Sequence, residues 1–143
     1  MDDIIELFRQ LVDGTDFSAP AKILRPIKAE TACRLQAGMP YSLATNVAHT
    51  EIWNRVWLAR LMGLPSIKPY PDFPSVKPED WPSVRGNFLE GLRQAQQIAG
   101  SQPFAHCCSD EAAARKLLIK IAAHTAYHVG HFVLLKRALR SKT

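Results

Sequence analysis

Apolar residues recur at helical spacing along most of this chain, and no segment shows the strict alternation of a strand. Ile4, Ile5, Phe8, Leu11 and Val12 trace one face of a helix over Asp2–Val12, which Gly14 ends. Pro20 and Pro26 punctuate the next stretch, where Ile27–Leu35 reads as a short helix stopping at Gly38. Ser42 has the chemistry of an N-cap for a second main helix through about Met62, halted by Gly63 and Pro65. Five prolines in the fourteen residues Pro65–Pro78 exclude a helix or an inner strand there and predict a long surface crossover. Pro82 then fits the first turn of a third main helix, with Val84, Phe88, Leu92, Ala95 and Ala99 on one stripe and Gly100 as its stop. Ser109 or Asp110 caps the last helix, which carries Glu111 in its first turn and runs to about Leu139. The prediction is an all-α protein: a four-helix bundle with a proline-rich crossover between its second and third main helices.

At 143 residues and 47% hydrophobic, the chain has the size and core of one domain spanning 1–143. Its formal charge of +5 raises the question of nucleic acid, so the distribution matters. Seven basic and no acidic residues lie between Arg115 and Thr143, with Lys136, Arg137, Arg140 and Lys142 at the end. No aromatic or glycine is interleaved among those four to stack or cradle bases, so they read as cations complementing a helix C-terminus, and nucleic acid is not the expected partner. Cys33, Cys107 and Cys108 form no CxxC pair and suit neither a disulfide framework nor a zinc ribbon. They suit a reducing compartment. The start of the chain is acidic where a signal peptide is basic, and the apolar run Ile121–Leu135 is too short to span a bilayer. The expected address is therefore cytoplasmic.

Histidines carry the chemistry. Leu117, Ile121, His124, His128, His131 and Leu135 step by four and three along the last helix, a core stripe whose middle three members are imidazoles. His124 and His128 lie about 40° apart and one turn along the axis, so both rings can converge on one ion. In the second main helix His49 is the polar member of a face that includes Thr45, Ile52, Val56 and Ala59. A lone histidine on such a face is ordinarily a hydrogen-bonded core residue. Several on two facing stripes are costly to bury unpaired and favour a divalent metal. Neutral imidazoles suit zinc, nickel, iron, copper or cobalt, and three of them leave a coordination position open. A di-iron carboxylate centre is excluded, because the last helix has only Glu111. His106-Cys107-Cys108 is too tightly spaced to be the ligand set of one tetrahedral ion. It reads as a surface loop, the rival being a thiol that approaches the metal or senses redox state.

His124-Thr125-Ala126-Tyr127-His128-Val129-Gly130-His131 resembles the H-x-x-x-H-x-G-Q run of the DinB/YfiT superfamily, and Ser42–His49 followed by Trp53 resembles that family's second helix. With helix order and length, the resemblance covers nearly the whole chain. It implies a bundle holding one divalent metal (zinc, nickel, iron or manganese) through His49, His124 and His128. It also implies a homodimer and the use of a low-molecular-weight thiol as cosubstrate. His131 departs from the family pattern, standing where glutamine is usual, and opens three roles: a ligand, a donor behind the ligands or a proton carrier.

The expected function is that of a metal-dependent enzyme, a thiol S-transferase or hydrolase, in which the ion activates a small thiol or water against a small electrophile. His131 and Tyr127 are candidates for proton transfer, and Trp53 for the pocket wall. The alternative is a non-catalytic, metal-stabilised bundle acting as a sensor or interaction module, which His131 as a fourth ligand would favour.

Overall fold

A computed structural model describes residues 2–140, and every element among them is helical. Lys142 of the basic C-terminal run lies outside the described residues. Helix α1 (Asp3–Phe8) passes into a π-helical segment, Arg9–Gly14, and α2 (Pro20–Leu24) and α3 (Ala29–Cys33) are single short turns. Three long helices follow: α4 (Leu43–Leu61), α5 (Trp81–Gly100) and α6 (Glu111–Arg140). None of the described helices is long and apolar enough to cross a membrane.

Local chemistry sets each boundary. Ser42 Oγ accepts the Thr45 amide N–H at 3.1 Å and starts α4. At its other end Gly63 takes a positive φ of 65°, and the Leu64 N–H reaches back to the Ala59 carbonyl at 2.9 Å, the Schellman closure. A side chain at Gly63 would also meet Cys107 at 2.9 Å. Of the two proposed caps for α6, Asp110 serves, accepting the Ala113 N–H at 2.8 Å. Glu111 turns away to hold the preceding loop, accepting from the Phe104 N–H at 3.0 Å and lying 2.9 Å from His106 Nε2.

Helix directions follow from which ends meet. The Trp81 indole at the start of α5 donates to the Ile27 carbonyl, and Lys136 near the end of α6 donates to that of Ile23. At the opposite end the Cys107 N–H, in the loop joining α5 to α6, donates to Leu61 at the end of α4. Thus α4 and α5 run parallel and α6 runs against both. Parallel neighbours need a connection as long as the helices themselves, which is the reason for the proline-rich crossover. Extended proline-rich chain advances about 3.1 Å per residue, so Leu64–Asp72 suffices to return roughly 25 Å along α4.

Helix α4 packs on both α5 and α6, which touch each other sparsely. The α5 core matches the predicted stripe from Phe88 to Ala99, with Val84 at its margin. On α6 the line is displaced. Ala114, Leu118, Ile121, Ala122, Thr125, His128, Phe132, Leu135 and Leu139 are buried, whereas Leu117, His124 and His131 sit at the edge of that face. Asn54 Nδ2 donates to Thr125 Oγ1 at 2.9 Å in the fully buried seam and fixes the register of α4 against α6 beside the histidines.

Candidate metal centre

The α4–α6 seam brings His49, His124 and His128 together, with one ring nitrogen from each lying within 4.8 Å of the others. His49 and His128 are buried and His124 is half-buried. His124 Nε2 and His128 Nε2 are 3.1 Å apart. That distance is close to the roughly 3.3 Å edge of a tetrahedron with metal–nitrogen bonds of about 2.0–2.1 Å. The donor set therefore fits a late first-row divalent ion, and three histidines so placed can hold one.

His49 is oriented from behind. Its Nδ1 lies 2.8 Å from the Asp72 carbonyl oxygen and 3.1 Å from Asp72 Oδ1, so Nδ1 carries the proton and the Nε2 lone pair is left for the centre. Asp72 is itself held, accepting from the Trp53 indole N–H at 2.7 Å. The His49 ring stacks face to face on Phe73 at 3.9 Å, and Phe73 stacks on Tyr41 at 4.3 Å. Trp57 meets His124 edge-on at 5.3 Å.

Burial, and after it the neighbouring His49, pull the His124 imidazole down to about 4, with Asp72 opposing. Burial likewise pulls His128 down to about 4, seconded by His124, His49 and His131. Both rings are neutral at physiological pH, which is the state a metal ligand needs. Their Nδ1 atoms are buried with no hydrogen-bond partner among the described residues. Nothing behind these two rings fixes a tautomer, so the Nε2 atoms facing each other are the ones an ion would organise.

The remaining candidates fall outside this cluster. His131 is half-buried and packs edge-on against Tyr127 at 4.9 Å and His128 at 5.4 Å, at the rim of the three-nitrogen group. Tyr127 is 67% exposed, because it projects from the solvent side of α6. Trp53 donates its indole N–H to Asp72, and its ring lies 5.6 Å from that of Trp57. Cys107 and Cys108 lie beside Leu61, twelve residues along α4 from His49 and so about 18 Å away, and neither thiol approaches the centre. Burial pushes the Cys108 thiol up, the reverse of activation. The 920 Å³ groove between α4 and α5 is also elsewhere: Leu58, which lines it, is about 180° around α4 from His49.

Sequence reasoning missed Asp72, Phe73, Tyr41 and Trp57. Trp57, two turns beyond His49 on α4, was open to the same wheel argument. The others come from non-periodic segments and give no such signal. Comparison with protein-family models, curated proteins and solved structures returns no match.

The Asp72 contact makes a prediction. Asp72→Asn keeps the shape and the backbone carbonyl but removes the carboxylate charge behind His49, and metal affinity is expected to fall at least tenfold. Competition against a chromophoric chelator measures it, and an unchanged affinity would remove Asp72 from the centre.

Proposed function

We propose that this chain is a DinB-like four-helix bundle whose divalent metal, held by His49, His124 and His128, serves a transfer or hydrolysis reaction on a small electrophile. The observation that carries this reading is the convergence of three ring nitrogens from two helices, two of them on imidazoles kept neutral by burial. An ion bound by three neutral ligands keeps its full charge and can ionise a bound water or low-molecular-weight thiol near neutral pH. The protein's own part is to orient His49 through Asp72, to hold His124 and His128 unprotonated, and to wall the centre with Phe73 and Trp57. The proton-transfer role in this reading belongs to His131 and Tyr127, which are in edge contact at the rim. In this reading the protein is cytoplasmic and works as a homodimer.

The sensor or interaction-module alternative calls for a closed site. The position of His131 outside the cluster supports three donors and an open position instead. Elemental analysis of the purified protein beside His128→Ala tests the proposal. Near-stoichiometric zinc, nickel, iron or manganese is expected in the first and its loss in the second. Absence of metal from both, even after reconstitution, would sink the enzyme reading. With metal established, a screen of small thiols against electrophiles follows, and a metal-loaded protein inert in it would favour the non-catalytic module.

A further inference from the structure

A second concavity lies at the far end of α6 and owes nothing to the histidines. The turn between α2 and α3 (Pro26, Ile27), the start of α3 (Lys28, Thr31) and the last turns of α6 (Lys136, Leu139, Arg140) enclose about 310 Å³. Lys136 is eight residues beyond His128, roughly 12 Å along the helix axis. Among the described residues that line it, three are cations and none is acidic, Thr31 adds a hydroxyl, and Pro26, Ile27 and Leu139 are apolar.

Lys136 reaches into this end of the molecule rather than into bulk water. Its Nζ donates to the Ile23 carbonyl oxygen at 2.7 Å, which uses one of its three N–H groups. Partial burial, and after it the charge of Arg140, lower its ammonium below the ordinary lysine range.

We propose that this cavity binds a small phosphorylated organic anion. Lys28, Lys136 and Arg140 meet the phosphoryl oxygens, Thr31 donates its hydroxyl, and Pro26, Ile27 and Leu139 take the carbon skeleton. A volume of 310 Å³ is at the small end of ligand pockets and suits a monoester of a small alcohol or phenol. A nucleic-acid backbone would be tracked by an extended basic groove with stacking aromatics, and no aromatic is among the described residues lining this one.

The internal reporter is Trp81, whose indole N–H donates to the Ile27 carbonyl at 3.1 Å. The test is a heteronuclear NMR titration of the full chain with phenyl phosphate, at constant ionic strength and with chelator present, beside inorganic phosphate and a short DNA duplex. Saturable one-to-one shifts of the Ile27, Lys28 and Thr31 amides and of the Trp81 indole are expected, with phenyl phosphate binding more tightly than inorganic phosphate. Lys28 is exposed, so Lys28→Gln leaves the core intact and should weaken binding about tenfold. Non-saturating shifts, or a Lys28→Gln variant of unchanged affinity, would overturn the site. Equal affinity for inorganic phosphate would overturn the organic part. Shifts with the duplex but none with phenyl phosphate would make this a phosphate-backbone surface and overturn the proposal.

Discussion

Phe88→Ala is expected to destabilise the protein by about 3–5 kcal/mol while leaving its metal affinity unchanged. Phe88 is 1% exposed and meets Phe132, which is fully buried, edge to face at 5.7 Å between ring centroids. Because α5 and α6 touch sparsely, this pair is a principal contact between them, and a cavity here loosens α5 from α6 while α4 still holds it. The loss is a large share of the roughly 5–15 kcal/mol that holds a domain folded. It should lower the melting temperature by about 10–15 °C. Helix α5 contributes no histidine to the cluster, so fold and site separate in this variant. Phe88→Leu retains most of the volume and should cost far less. A loss under about 1 kcal/mol for alanine would mean that the core closes over the gap.

The long helices were legible because their signals are local. Ser42, Gly63, Asp110 and the apolar stripe of α5 each act within a turn or two of where they stand. The N-terminal third was harder. α2 begins at Pro20, which the sequence presents only as punctuation. The Ile27–Leu35 helix shrinks to Ala29–Cys33, because Ile27 instead receives the Trp81 indole on its carbonyl and packs in the core. The first helix continues as a π-helix to Gly14, whose φ is 71° and where an added Cβ would lie 2.5 Å from the Ala19 nitrogen, so no side chain fits. The Trp81 constraint on Ile27 comes from a residue 54 positions away in the chain.

The candidate centre divides along the same line. Its three histidines could be placed on facing helices from spacing alone. The residues that orient and enclose them could not, since Asp72 and Phe73 reach His49 only because parallel α4 and α5 force the crossover back along α4. The wheel also misjudged depth on α6. A stripe drawn through every histidine puts His131 on the core line, yet the packed face runs through Thr125 and Phe132, leaving His124 and His131 at its edge.

Stripped of metal by a chelator, the protein is expected to lose stability as pH falls from about 6.5 to about 4, and saturating zinc at neutral pH should raise its stability. Unfolded, His124 and His128 take up protons near pH 6.5; folded, burial delays uptake until about pH 4. Through that window the unfolded chain binds more protons than the folded one, so acid pulls the equilibrium toward unfolding, and the effect is complete below the folded values. Because both rings retain some contact with solvent, the sum is on the order of 2–3 kcal/mol rather than the full shift. Above about pH 7.5 both states are neutral and the two rings contribute no slope. Zinc acts in the opposite direction, adding about 2.7 kcal/mol at one hundred times its dissociation constant. Urea unfolding of the chelated protein at several pH values, with and without zinc at pH 7, measures both effects. The double variant His124→Gln, His128→Gln should lack both the zinc gain and the slope above about pH 5.5, where carboxylates are ionised in both states. If that variant keeps the slope, the protons are going to other groups; if it keeps the zinc gain, the ion is bound away from these two helical turns.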